Sequence, residues 1–254
     1  MNPGRMVYHG TLGDIPMHSS IAIGIVLVVA GEVELRGAAD EAVRLSPDGP
    51  NAAILPAGVP HAKPVLPSEA TTPARLVMAI VDPDSPAGRV LAARLGADHE
   101  RPADWIRAAK PCQDVVRAPE PDDPAGVRVV DAVIAALASE PTAPAPPLHP
   151  GLRRAAELIP ARLSSGVELR DLAAEVGLSA SRLGHLFAVQ LGLPYRAYVR
   201  WARLQKVVEV LRDGGTLTSA AHAAGFTDSA HMNRICRSVF GVNPSTLIQY
   251  LVWV

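Results

Sequence analysis

The sequence predicts a two-domain α+β protein: an N-terminal small β-barrel with helices, followed by a C-terminal all-α domain. Three observations carry this. Short apolar runs bounded by Gly, Pro or Asp crowd the first third of the 254 residues, the spacing of a small barrel or sandwich. Five prolines fall within residues 141–150, a stretch that neither continues a helix nor pairs in a sheet. Beyond it the apolar pattern has helical period throughout, and one helix–glycine–helix unit occurs twice.

The elements follow in order. Residues 21–29 form a continuous apolar run; Gly31 breaks it and residues 33–36 alternate. Residues 43–45, 53–55 and 76–81 are further short strands. From Ser85 the pattern turns helical. Ser85 and Pro86 suit an N-cap and a first helical position, and Val90, Leu91, Arg94 and Leu95 follow before Gly96. Residues 102–110 give a second short helix and residues 124–139 a third. Val127, Val130, Ile134 and Leu137 share one face of that third helix. The stripe packs either on its own domain or on a second copy of the chain. The division is a barrel at 1–84, a helical dimerisation and coupling segment at 85–140, a semi-rigid proline linker at 141–150 and an all-α domain at 151–254. The helices of that domain cover 152–163, 169–176, 180–191, 195–212, 217–224 and 229–240.

Composition narrows the class. The chain is 48% hydrophobic with a net charge of −1, which excludes a disordered chain. Two cysteines, Cys112 and Cys236, suggest a reducing compartment and no built disulfide. No signal-peptide pattern opens the chain and no apolar run reaches membrane length, so a cytoplasmic protein without a membrane partner is expected. Residues 150–254 carry 12 basic and 7 acidic side chains, a net +5, whereas residues 1–149 carry 12 and 18, a net −6. Such asymmetry suits a polyanion partner for the second half alone.

The repeat sharpens this. Leu169 stands eight residues before Gly177, and Leu217 eight before Gly225. A Gly at that place ends a helix through positive φ. Leu178 or Phe226 then pins the turn, and Ser179 or Asp228 caps the next helix. Small Ala173 and Ala221 let the second helix cross closely over the first. Each copy is a helix-turn-helix, whose second helix presents its outer face to a DNA major groove.

The residues that carry the repeat are Leu169, Leu172, Ala173, Gly177, Leu178 and Ser179, then Ser181, Arg182, Leu183, Leu186, Phe187, Gly192, Pro194 and Tyr198. They continue as Arg203, Leu204, Ala221, Ala224, Gly225, Phe226, Asp228, His231, Arg234, Phe240, Gly241, Val242 and Pro244. In this pattern residues 152–250 resemble the DNA-binding domain of AraC-type transcription regulators. The resemblance implies two helix-turn-helices bridged by the helix at 195–212 and entering adjacent major grooves. It implies that Ser181, Gly184 and His185 face bases, with Arg182 near the backbone. In the second copy Ala230, His231 and Arg234 would face bases, with Asn233 near phosphates. Gly184 departs from the pattern, since it has no side chain to read a base. Met232 and Cys236 stand where bulky aromatics are usual. Arg234 suits guanine O6 and N7, or else pairs with Asp228 or Glu209. Cys236 reads as a buried small hydrophobe.

In the N-terminal half, the run from Pro56 to His61 fits the Pro-x-Gly-x-x-His turn of cupin barrels, a sensor the family often uses. His18 and His61 lack the further ligands of a metal cupin, so neither metal nor cofactor is expected. His61 lines the barrel mouth, bonds a turn carbonyl, or holds a small organic effector. Such a pocket would be lined by His18, His61, Ile25 and Met78, with Met17, Ile23, Leu27, Ile54 and Ile80 as further candidates. The reading is a sequence-specific, effector-responsive bacterial transcription regulator that is nucleoid-associated. It is not an enzyme and carries no catalytic residues. Double-stranded DNA, a second copy of the chain and an effector are the expected partners, with RNA polymerase a candidate. The alternatives are a cupin-type enzyme with a helical appendage and a regulator whose N-terminal domain only dimerises.

Overall fold

The computed structural model describes residues 5–11, 14–63, 73–96, 99–118, 122–123, 126–139, 147–245 and 251–253. Most of the proline-rich linker lies outside the described residues. The chain divides into two compact units, one of residues 1–145 with 249–254, the other of residues 146–248.

The first unit is a pair of antiparallel sheets. Its strands are β1 (Arg5–Thr11), β2 (Ile15–Ser19), β3 (Ile23–Ala30), β4 (Val33–Gly37), β5 (Ala42–Leu45), β6 (Ala52–Leu55), β7 (Pro60–Lys63), β8 (Arg75–Val81) and β9 (Leu251–Trp253). One sheet has the order β6-β3-β8-β1-β9 and the other β2-β7-β4-β5. The expected barrel is therefore open, split into two sheets. The first six residues of β3 are buried without alternation, as a strand covered on both faces requires. Two of the covering helices are α1 (Pro86–Leu95), which touches β3, and α3 (Val127–Ser139), which touches β8. The third, α2 (Pro102–Ala108), meets β4, β5 and β6.

Ser85 caps α1 as expected, its Oγ accepting from Gly88 N at 3.0 Å. A Cβ on Gly88 would stand 2.0 Å from the Asp82 carbonyl oxygen, so the helix can approach that loop only with glycine there. The Asp123 carboxylate accepts from the N–H groups of Val127 and Arg128, which starts α3 at residue 127 rather than 124. The stripe resolves against the second-copy alternative. Val130 and Leu137 are fully buried with Val133 in the core of the same unit, and Val127 and Ile134 pack against it. Residues 85–139 are thus the cover of the sandwich, not a separate segment.

The last residues also depart from expectation. β9 pairs antiparallel with β1, placing Met6 opposite Trp253 and Tyr8 opposite Leu251. A β1 edge offers unpaired N–H and C=O groups, and a returning strand satisfies them. The chain therefore leaves the first unit, builds the second and returns.

The second unit is helical: α4 (Pro150–Leu158), α5 (Leu169–Glu175), α6 (Ala180–Gln190), α7 (Tyr195–Arg212), α8 (Leu217–Ala223) and α9 (Ser229–Phe240). The helix expected over 152–163 stops at Leu158 and passes into a 3₁₀ turn, Pro160–Arg162, because Pro160 has no N–H to donate. The core of this unit centres on α7, where Trp201, Leu204, Val207 and Val208 are buried. The Phe187 ring lies 5.3 Å from that of Tyr195 and 5.0 Å from that of Tyr198. The Tyr195 hydroxyl donates to the Val167 carbonyl at 2.8 Å.

Leu137→Ala should destabilise the chain by about 2–5 kcal/mol, the cost of a cavity in a packed core. Denaturant unfolding of the variant checks this, and its sedimentation should match that of the wild type at equal concentration.

Candidate nucleic-acid interface

The two hairpins are built alike, hydrogen bond for hydrogen bond. Gly177 has φ +70° and Gly225 φ +73°. In the first copy Leu178 N donates to Ala173 O at 2.9 Å; in the second Phe226 N donates to Ala221 O, also at 2.9 Å. This bond from beyond the glycine back to the helix closes a Schellman turn. Each recognition helix is then capped by the side chain before it. Ser179 Oγ accepts from Arg182 N at 3.1 Å, and Asp228 Oδ1 accepts from His231 N at 2.6 Å. Counting from these caps, His185 and Arg234 occupy the same place, six residues on. The inner faces are buried through Leu183, Leu186 and Phe187 in α6 and through Met232, Cys236, Val239 and Phe240 in α9.

The outer faces carry the residues the sequence singled out. Ser181, Arg182 and His185 are exposed on α6, and Ala230 and Arg234 on α9, with Asn233 half-buried beside them. Among the described residues Arg234 makes no ion pair. Glu209 is taken by Lys206 at 3.0 Å and Asp228 is engaged as the helix cap. A cation free on the outer face of a recognition helix is what guanine readout requires. His231 is held differently. Its Nδ1 lies 3.0 Å from Thr227 Oγ1, and its ring meets the Phe226 ring edge-on with centroids 5.5 Å apart. Gly184 is half-buried, and a Cβ there would meet Leu169 Cδ2 at 3.4 Å, an ordinary contact.

Of two further arginines, Arg203 belongs to the sequence pattern and Arg237 had no sequence signal of its own. Arg237 is exposed three residues after Arg234, on the same outer face by helical period. Arg203 of α7 places its guanidinium 5.7 Å over the Phe226 ring, supporting the second turn from behind. Burial pushes the Cys236 thiol up to about 12, so it stays a neutral apolar filler.

In the first unit the turn at residues 56–61 forms as expected, with Gly58 at φ +80° and its N–H donating to Ser20 O at 2.7 Å. It sets His61 opposite His18 across β2 and β7, their rings 4.4 Å apart. His18 Nδ1 lies 2.9 Å from Pro16 O and His61 Nδ1 3.0 Å from Val59 O. Each Nδ1 therefore carries the proton as donor, leaving Nε2 as an acceptor. Burial, with Lys63 adding repulsion, lowers the His18 pKa to about 4 and pulls that of His61 well below its usual value. Ile25 and Met78 do not join them in one pocket. Ile25 pairs with Ala79, so Met78 points to the other face of that sheet. Met17 is exposed. No group of three or more His, Cys, Asp or Glu side chains suited to a metal occurs among the described residues. No helix among them is long and apolar enough to cross a membrane.

Residues 172–250 match the family described as a helix-turn-helix domain. None of the curated proteins matches the chain in sequence. Among solved structures, a variant of ToxT from Vibrio cholerae strain SCE256 in its apo form is similar over 98% of this chain and 98% of its own. Its TM-score is 0.58 at 11% identity. Wild-type ToxT of the same strain with bound unsaturated fatty acid is similar over 99% of this chain and 98% of its own, with a TM-score of 0.56 at 10% identity. A transcriptional regulator of the AraC type from Chromobacterium violaceum is 26% identical, covering 39% of this chain and 90% of that one at a TM-score of 0.38. The fold is thus similar to that of the two-domain ToxT structures, and residues 172–250 of this chain carry a helix-turn-helix domain.

Two outcomes follow from this geometry. Gly177→Ala should cost about 1–2 kcal/mol through its left-handed backbone alone. Gly225→Ala should cost distinctly more, because its Cβ would also stand 2.0 Å from the Leu163 carbonyl oxygen; urea unfolding of the pair gives the order. Acidification is the second. Above pH 6.5 His18 is neutral folded or unfolded and contributes nothing. Below it the unfolded chain takes a proton that the folded one refuses until about pH 4. Stability should therefore fall through that window, by roughly 3 kcal/mol from this group. Unfolding of His18→Asn against pH should show a shallower decline.

Proposed function

We propose that this chain, a DNA-binding regulator through its AraC-type helix-turn-helix domain, recognises a specific sequence with both recognition helices and responds to a small effector held in its N-terminal unit. The single observation that carries the DNA reading is the matched pair of capped helices with Arg182, His185 and Arg234 exposed on their outer faces. Phosphate contacts supply affinity and position, whereas base-edge contacts supply sequence preference. Arg234, without an ion pair among the described residues and six residues past its cap, is the base reader; Arg182, near the start of its helix, contacts the backbone.

The effector reading is supported by likeness in fold to ToxT, one structure of which holds an unsaturated fatty acid. In this reading the protein works as a homodimer, because one pair of helices reads few bases and a second copy raises specificity through effective concentration. It acts in the cytoplasm, at promoters where RNA polymerase is in reach, and performs no catalysis. An effector changes DNA binding to the extent that it binds one arrangement of the chain better than another.

Anisotropy titrations on a selected duplex and on random duplex test the assignment. Arg234→Ala should cost about 1–3 kcal/mol on the selected site and little on random DNA. Arg182→Ala should weaken both alike and reduce the salt slope by about one. Equal loss on both duplexes for Arg234→Ala would remove it as a base reader. Sedimentation of the wild type at micromolar concentration tests the dimer.

A further inference from the structure

One sheet face inside the N-terminal unit holds three buried basic side chains, and among the described residues the unit's buried carboxylates, Asp82 and Asp123, lie outside that sheet. His61 lies opposite Gly37 in the β4–β7 pairing, which places it on the face of Val33 and Leu35, residues buried to 1% and 0% exposure. His18 is opposite His61 and therefore shares that face. Lys63, two residues on, shares it too by the alternation of the strand. Lys63 is 4% exposed and forms no ion pair among the described residues.

Among the described residues no counter-ion faces it. From α2 comes Trp105, whose ring is 5.9 Å from that of His61; its neighbour Asp104 is paired with Arg107. On β4, Glu34 and Arg36 lie on the opposite face, bonded to each other at 2.6 Å. His18 and His61 carry no negative charge to offer. Burial alone lowers the Lys63 pKa to about 7. An ammonium in an apolar interior without a partner is costly, and such a group keeps its place where a ligand supplies the missing charge.

Resting on the effector reading above, we infer that His18, His61 and Lys63 form the head-group site for an organic carboxylate, with the Lys63 ammonium as its counter-ion. One cation among Ile15, Val33, Leu35 and Trp105 suits a ligand with a single negative head and an apolar body, not a polyanion. The histidines complete the site. Their Nδ1 protons are spent on Pro16 and Val59 carbonyls, so each Nε2 faces the carboxyl group as acceptor and becomes a donor on taking a proton.

The test uses the full chain, octanoate as probe and 1-octanol as its uncharged counterpart, by titration calorimetry at pH 8 in two buffers of different ionisation enthalpy. The wild type should bind octanoate and take up close to one proton, since Lys63 is mostly neutral at that pH before binding. Lys63→Met should lower octanoate affinity at least tenfold, abolish the proton uptake and leave octanol unaffected. Unliganded Lys63→Met should melt above the wild type, because it removes a buried amine that gives up its hydration and its proton on folding; a lysine kept for structure would give the reverse. No octanoate binding at millimolar concentration, equal affinity for octanol, or a Lys63→Met variant that binds octanoate like the wild type overturns the site. DNA titrations separate the two readings. Octanoate bound through Lys63 with unchanged DNA affinity upholds the site and removes the effector role. A response of DNA affinity to octanol that Lys63→Met preserves upholds the role and overturns the site.

Discussion

The constraint on which the DNA-binding unit depends is a backbone one: a glycine at positive φ followed by an apolar residue whose N–H reaches back into the helix just ended. Gly177 with Leu178, and Gly225 with Phe226, satisfy it with the same bond to Ala173 or Ala221. The turn fixes where the next helix begins, Ser179 or Asp228 fixes its first turn, and those two facts fix which residues face outward. The second copy has less freedom. Its glycine lies against the Leu163 carbonyl and Arg203 lies over Phe226, so the turn is held on both sides. The first is open around Gly177 and takes its order from the aromatic cluster of Phe187, Tyr195 and Tyr198.

The N-terminal unit obeys a different economy. Most of its interior is aliphatic, and most of β3 and all of β6 are buried on both faces. Against that background His18, His61 and Lys63 stand on one face of one sheet at a cost to stability, burial lowering the readiness of all three to hold a proton and Lys63 adding to the effect on both histidines. Residues that break the local rule of burial without a partner belong where function is built. The surface ion pairs of the unit, such as Arg101 with Glu41 and Arg44 with Glu32, leave these interior groups uncompensated.

The order of the chain links the two economies. The second unit leaves the first after residue 145 and its last strand rejoins the β1 edge. Both ends of the DNA-binding unit are therefore covalently continuous with the unit that holds the basic cluster. A single linker before residue 150, which the proline run alone indicates, is half of that connection.

The sequence by itself determined the helical unit almost in full, because its signals are local: a glycine stop, a cap three residues from the N–H it satisfies, and apolar residues at helical spacing. His185 and Arg234 were legible for the same reason, since a capped helix fixes its own faces. Strands β1, β2, β7 and β9 were not legible. Their residues pair with partners far along the chain, and β7 carries Pro, His and Lys, which read as surface until the register turns His61 and Lys63 inward. The stripe of α3 showed an apolar face but not what covers it; only tertiary packing gave that face to its own core. Ile25 and Met78 failed as pocket partners because register, a property of two strands together, put them on opposite faces. Lys63 became a candidate only in three dimensions, since what marks it is burial with no ion pair among the described residues.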